Sequence, residues 1–165
     1  MNFYFVDDDK NVRNILKILV TDRQLGKCCG SSGNGYDALE DVEALHPDII
    51  LVDLLMPDMD GISFVEKVRD ISPDSVCIMI SQVASKDLIA KAYEAGVEFF
   101  IQKPINAIEV EAVIRNVIKS LSMHRKIGKV QTLFEAEFST RGKTSDSSSQ
   151  SELSLIHISE PTRPE

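Results

Sequence analysis

The chain has 165 residues and a formal net charge of −8, enough length for one domain with a sizeable core and a tail. Residues 1–120 hold 12 Lys/Arg against 20 Asp/Glu and carry the whole imbalance, so this part is a poor binder of phosphate backbones on its own. No run approaches the roughly 20 apolar residues that span a bilayer, and the N-terminus lacks the basic region of a signal peptide, so a cytoplasmic protein without a membrane partner is expected. Cys28, Cys29 and Cys77 show no metal-ligand spacing and read as reduced structural thiols.

Phe3 to Val6 reads as a short apolar strand that ends in Asp7-Asp8-Asp9. From Asn11 the spacing turns helical, with Val12, Ile15, Leu16 and Leu19 on one face. Lys27 to Ser31 is a weak strand followed by the turn Gly33-Asn34-Gly35. Ala38, Leu39, Val42 and Leu45 mark a second helix that His46-Pro47 stops. Ile49 to Asp53 is uniformly apolar until its last residue, the pattern of a strand covered on both faces. Gly61 begins a third helix with Phe64, Val65, Val68 and Ile71 inward. Val76 to Ser81 is a fourth strand, Ser85 an N-cap, and Gly96 the C-terminal stop of the helix between them. Val97 to Ile101 is a fifth strand, broken by Lys103-Pro104. Asn106 and Glu109 form a variant capping box for a last helix through Val110, Val113, Ile114, Val117, Ile118 and Leu121. Five β-α repeats with short connections predict an α/β, doubly wound (βα)5 fold around a five-stranded parallel sheet.

In a parallel sheet the carboxyl ends of all strands share one edge, where open α/β sheets place their ligands. That edge receives Asp7 and Asp8 from the first strand, Asp53 from the third, Ser81 from the fourth and Lys103 from the fifth. Carboxylates brought together there repel, and a hard divalent cation such as Mg²⁺, which prefers oxygen ligands, neutralises them well. Taken alone, the three aspartates read as a solvated turn that caps a helix. Together with Asp53, Ser81 and Lys103 they read as a site.

Val6-Asp7-Asp8, the run Leu51 to Gly61 through Asp53 and Pro57, Ile80-Ser81, and the run Gly96 to Pro104 with Lys103 together resemble the receiver domain of two-component response regulators, the CheY-like fold. The resemblance covers residues 1–121. It implies that Asp53 takes a phosphoryl group from the phosphohistidine of a sensor histidine kinase, and that the domain is a phosphoacceptor rather than an enzyme. It implies that Asp8, Asp53 and the Leu55 backbone carbonyl hold Mg²⁺, with Asp7 acting through water. It assigns Lys103 to the phosphoryl oxygens, and Ser81 with Phe100 to the conformational switch. Gln82 departs from the small residue usual after Ser81. The runs Ile80 to Val83, Ala92 to Ile101 and Lys103 to Asn106, with the opening Phe3 to Asp9, resemble the YcbB-type response regulators, which are associated with glutamine utilisation and carry a C-terminal DNA-binding output domain.

Beyond residue 121, residues 122–138 keep helical spacing through Ile127, Val130, Phe134 and Phe138, either as a linker with a dimer seam or as an extension of the last helix. A homodimer through the fourth helix, fifth strand, last helix and linker is expected, with DNA contacted only through an output domain missing from this chain. Residues 139–152 are Ser-rich and disordered in character. Residues 153–165 look like a sequencing adapter translated in frame and are set aside. Three rival readings compete. Asp58-Met59-Asp60-Gly61 resembles the nucleophile motif of haloacid-dehalogenase-like phosphatases, but Met56 and Pro57 separate it from the strand end. Gly30 to Gly35 has the wrong glycine order for a dinucleotide loop and follows the second strand. A stand-alone receiver that acts by docking partners is the third.

Overall fold

A computed structural model describes residues 1–83 and 85–142, with side chains described through 128. The order is β1 (Asn2–Val6), α1 (Lys10–Asp22), β2 (Lys27–Ser32), α2 (Gly35–Leu45), β3 (Ile49–Asp53), α3 (Gly61–Ile71), β4 (Val76–Ser81), α4 (Lys86–Ala95), β5 (Val97–Gln102) and α5 (Ala107–Gly142). All pairings are parallel and the sheet runs β2-β1-β3-β4-β5. This is the doubly wound (βα)5 arrangement expected.

Apolar burial explains the layers. All five residues of β3 are buried, as a central strand covered on both faces requires. Alternate strand residues Tyr4, Val6, Ile50, Val52, Cys77 and Met79 join Ala38 and Val42 of α2, Phe64, Val65 and Val68 of α3, and Ala92 and Ala95 of α4 in one cluster. Phe3, Phe5, Ile49, Leu51, Ile78 and Ile80 alternate to the opposite face, and Leu16, Leu19 and Val20 of α1 and Val110, Ile114 and Val117 of α5 are buried outside that cluster. The apolar face of α1 is rotated from the one expected. Ile15 is 49% exposed, while Val20 is fully buried.

The helices begin where side-chain oxygens accept otherwise unpartnered N–H groups: Asp9 for α1, Asn34 for α2, Asp60 for α3 and Ser85 for α4. Asn106 does the same for α5, accepting from Ile108 and Glu109. His46 and Gly96 end α2 and α4 in left-handed conformation. Two strands carry irregularities. Phe3 pairs with Cys28 and Tyr4 with Gly30, so Cys29 is the extra residue in β2. Cys77 pairs with Val97 and Ile78 with Phe99, so Glu98 is the extra residue in β5.

All three cysteines are free thiols, and burial pushes Cys77 up to about 12. No described helix is long and apolar enough to cross a membrane. One compact unit spans Met1–Ser120 and a second begins at Leu121, where the described residues continue α5 to Gly142. Residues 129–142 belong to that helix by backbone alone, so a seam through Val130, Phe134 and Phe138 lies outside the described side chains. From residue 143 the Ser-rich segment and the adapter-like tail lie outside the described residues.

Candidate phosphoacceptor and metal site

The site forms where β1, β3, β4 and β5 end. Lys103 arrives immediately after β5, and its backbone N–H donates to the Ser81 carbonyl at 2.8 Å, which fixes the side chain over the sheet edge. Its Nζ donates to Asp7 Oδ2 at 3.0 Å and to Asp53 Oδ2 at 3.4 Å. Both carboxylates are buried, at 3% and 6% exposure, whereas Asp8 is exposed. Carboxylate oxygens of Asp7, Asp8 and Asp53 lie within 4.8 Å of one another. At that separation two unit charges repel by about 3–4 kcal/mol at an effective dielectric of 20. One ammonium offsets part of this, and the remaining excess is negative.

The excess is visible in the ionisation of Asp53. Burial, then the charge of Asp7, holds its carboxyl above the ordinary 3.8, and Lys103 and the Leu55 N–H pull it back only in part. For Lys103, burial works against the charge, but the hydrogen bond and charge of Asp7 and then those of Asp53 outweigh it and raise the ammonium above its ordinary 10.5. Both shifts describe a carboxylate-rich pocket whose negative charge one ammonium does not balance.

The three consecutive aspartates divide the work. Asp7 Oδ1 accepts from the Asp9 N–H and Oδ2 from Lys103, so both its oxygens are engaged within the protein. Asp9 caps α1, accepting from the Asn11 N–H. Asp8 is left facing a cleft of about 290 Å³ shared with Asp9, Asp53, Leu55, Gln82 and Lys103. The donor set offered there is carboxylate oxygen, the chemistry of a hard cation such as Mg²⁺ rather than a thiophilic metal.

Ser81 is fully buried at the end of β4, and its Oγ accepts from the Val83 N–H at 3.2 Å. Phe100 is half-buried against the cluster under α4. The structure thus brings Asp8, Asp53, Leu55 and Lys103 to one cleft, with Asp7 paired to Lys103 beside it. It places Ser81 one residue beyond Ile80, the β4 partner of Asp53. Phe100 lies in β5, where it pairs with Met79. Arg13 was not singled out as a site residue from the sequence. Its Nη1 donates to the Asp7 carbonyl at 2.5 Å, bracing the backbone just past the end of β1. Its only sequence signal is a cation one turn into the helix after the aspartates.

The rival motif resolves differently. Asp58 is exposed and accepts from Asn34 Nδ2 at 2.7 Å. Asp60 caps α3 through the Ser63 N–H and hydroxyl. Burial opposes its charge, yet those hydrogen bonds hold its carboxyl below the ordinary value. Neither residue is a ligand in the Asp7–Asp8–Asp53 cluster.

Comparison with known proteins gives one consistent result. The family described as "Response regulator receiver domain" matches residues 3–115. The chain is 36% identical over 132 residues to "Transcriptional regulatory protein GlnL" of Bacillus subtilis (strain 168), covering 79% of this chain and 42% of GlnL. The matched part therefore spans less than half of that relative's length. It is 32% identical over 114 residues to "Chemotaxis protein CheY" of Thermotoga maritima, covering 69% of this chain and 94% of that one. The CheY-like receiver domain protein of Methanospirillum hungatei JF-1 shares the fold with a TM-score of 0.70 at 22% identity, over 74% of this chain and 97% of that one.

Proposed function

The chain belongs to the response regulator receiver family, and from that premise we propose that Asp53 is the phosphoacceptor of a two-component switch fed by a sensor histidine kinase. The observation that carries this reading is the meeting of Asp7, Asp8 and Asp53 within 4.8 Å around Lys103. An Asp53 carboxylate oxygen attacks phosphorus, the P–N bond to the kinase imidazole breaks, and its electron pair leaves with the ring nitrogen, which takes up a proton. Such transfer needs in-line positioning and neutralisation of charge more than covalent help. A raised carboxyl makes Asp53 a better nucleophile than an ordinary aspartate once it is ionised.

Asp8, Asp53 and the Leu55 carbonyl would hold Mg²⁺, with Asp7 acting through water, a division supported by the full engagement of both Asp7 oxygens. The bound cation supplies the positive charge that the site lacks. Lys103 orients the phosphoryl oxygens. The Ser81 hydroxyl leaves the Val83 N–H to donate to the phosphoryl group, and Phe100 moves with it. The product is a modified protein rather than a released compound, so the domain is a phosphoacceptor and not an enzyme of ordinary turnover.

The reading places the protein in the cytoplasm, pairing through α4, β5, α5 and the helix beyond residue 121. Its output is transcription, as the name of GlnL indicates for that protein, with DNA reached through a segment other than this acidic domain. A second reading, a receiver that acts by docking alone, is favoured by the match over 94% of the length of the Thermotoga CheY.

Incubation with Mg²⁺ and acetyl phosphate, followed by intact-mass analysis, tests the assignment. Wild type gains one phosphoryl group that hydroxylamine removes, and Asp53→Asn gains none. Equal labelling of the two proteins would overturn it.

A further inference from the structure

The Tyr93 hydroxyl accepts the backbone N–H of Phe100 at 3.2 Å. This bond joins α4 to the strand residue that bears the proposed switch aromatic. Among the described residues β5 is an edge strand, paired only with β4. Its outward N–H groups would otherwise meet water, and Tyr93 closes one of them from within the protein.

The surroundings make this bond count. α4 buries only Ala92 and Ala95 fully, so its apolar hold on the sheet is small for a ten-residue helix. An element with little buried apolar surface is drawn from the low-stability end of a fold. Polar contacts add to that hold at its C-terminal end. Arg69 of α3 donates from Nη1 to the Ala95 carbonyl at 2.8 Å and to the Glu94 carbonyl at 3.4 Å. Tyr93, within the same turn, reaches across to Phe100. Leu88 of α4 and the Phe100 side chain pack against the same cluster. A displacement of α4 against β5 therefore has to stretch or break the Tyr93 bond, and a displacement of the Phe100 backbone has to do the same.

We propose that Tyr93 is a positioning residue: its hydroxyl latches α4 to the Phe100 amide and sets the resting side of the switch. This inference rests on the receiver reading for its signal and on the Tyr93–Phe100 bond for its device. Loss of the hydroxyl frees α4 and β5 to sample the activated arrangement without a phosphoryl group. The rearranged site is then met more often by a phosphodonor.

The full chain carrying Tyr93→Phe keeps the ring and removes only the hydrogen bond. Without phosphodonor, amide exchange at Phe100 is expected to rise about threefold to tenfold. Labelling of Asp53 by acetyl phosphate with Mg²⁺ is expected to accelerate severalfold, while the thermal midpoint stays near that of wild type. Unchanged exchange at Phe100 would overturn the latch. Faster exchange with unaltered Asp53 labelling would reduce Tyr93 to a structural contact and also overturn it. Absence of label on wild-type Asp53 would instead overturn the receiver reading, and the exchange of the unlabelled proteins would still decide whether the hydroxyl holds the amide.

Discussion

Lys103 stands between two buried carboxylates, and its removal leaves Asp7 and Asp53 facing each other without a counterion. Lys103→Met is expected to lower unfolding free energy by about 3 kcal/mol at pH 7, the cost of breaking a buried pair, measured by urea titration. The pH dependence follows from the direction of the shifts. Lys103 is raised above 10.5, so its contribution is fully present below that value and is lost as pH rises through the folded one. Asp53 is raised above 3.8, so its protonation favours the fold, fully so below 3.8, and that advantage is lost as pH rises through its folded value. The penalty of Lys103→Met therefore shrinks at acid pH, where Asp53 protonates, and again at strongly alkaline pH, where wild type loses its own ammonium. A deficit constant from acid to neutral pH would contradict the arrangement. At this scale the sequence alone marked Asp7, Asp8, Asp53, Ser81 and Lys103 as polar residues at apolar strand ends. The residue pattern did not by itself separate the three aspartates, and only the family resemblance divided Asp7 from Asp8, because capping, pairing and cleft exposure are identical in composition and differ only in direction.

Among the elements, the β3–α3 joint shows how a site is kept rigid. The Gly61 N–H donates to the Leu54 carbonyl at 2.8 Å. A Cβ on Gly61 would collide with the Asp53 carbonyl oxygen and lie 2.9 Å from Leu54 Cα. The loop thus folds back on the strand that carries Asp53, and only a residue without a side chain permits the approach. Gly61→Ala is expected to cost about 1–3 kcal/mol by forcing backbone apart, read from the urea midpoint, and to slow labelling of Asp53. An alanine variant as stable as wild type would refute the close contact. From the sequence Gly61 was visible as a helix start, but the close approach to Asp53 was not. The irregularity in β5 was also hidden. Strict alternation would put Val97 and Phe99 on one face, yet Glu98 is an extra residue and Phe100 joins Val97 beside α4 while Phe99 is 36% exposed. A bulge has no residue-level signature here, because its effect depends on which partner strand it slips against.

At the scale of the molecule, the site exists only when the sheet is assembled, since Lys103 meets Asp7 across 96 positions of sequence. A ligand that binds this site and not the unfolded chain stabilises the whole domain. Mg²⁺ at ten times its dissociation constant is expected to add about 1.4 kcal/mol to unfolding free energy, seen as a raised thermal midpoint. Asp8→Asn is expected to lose that response, with little change in the metal-free midpoint because Asp8 is exposed. An equal Mg²⁺ response in both proteins would remove Asp8 from the site.

Sequence by itself determined the number, order and type of the elements in the domain. Uniform apolar runs and 3.6-residue periods express local burial, and N-caps and glycine stops express local hydrogen bonding. It also determined which residues would share the carboxyl edge of a parallel sheet, because that edge is common to all such strands. Tertiary structure alone decided the rotation of α1 that exposes Ile15, the β5 bulge that turns Phe100 toward α4, and the bracing of Asp7 by Arg13. It also decided the bond from Tyr93 to an edge-strand amide. Each depends on distances between segments remote in the chain, and packing between elements sets those distances where local propensity is silent.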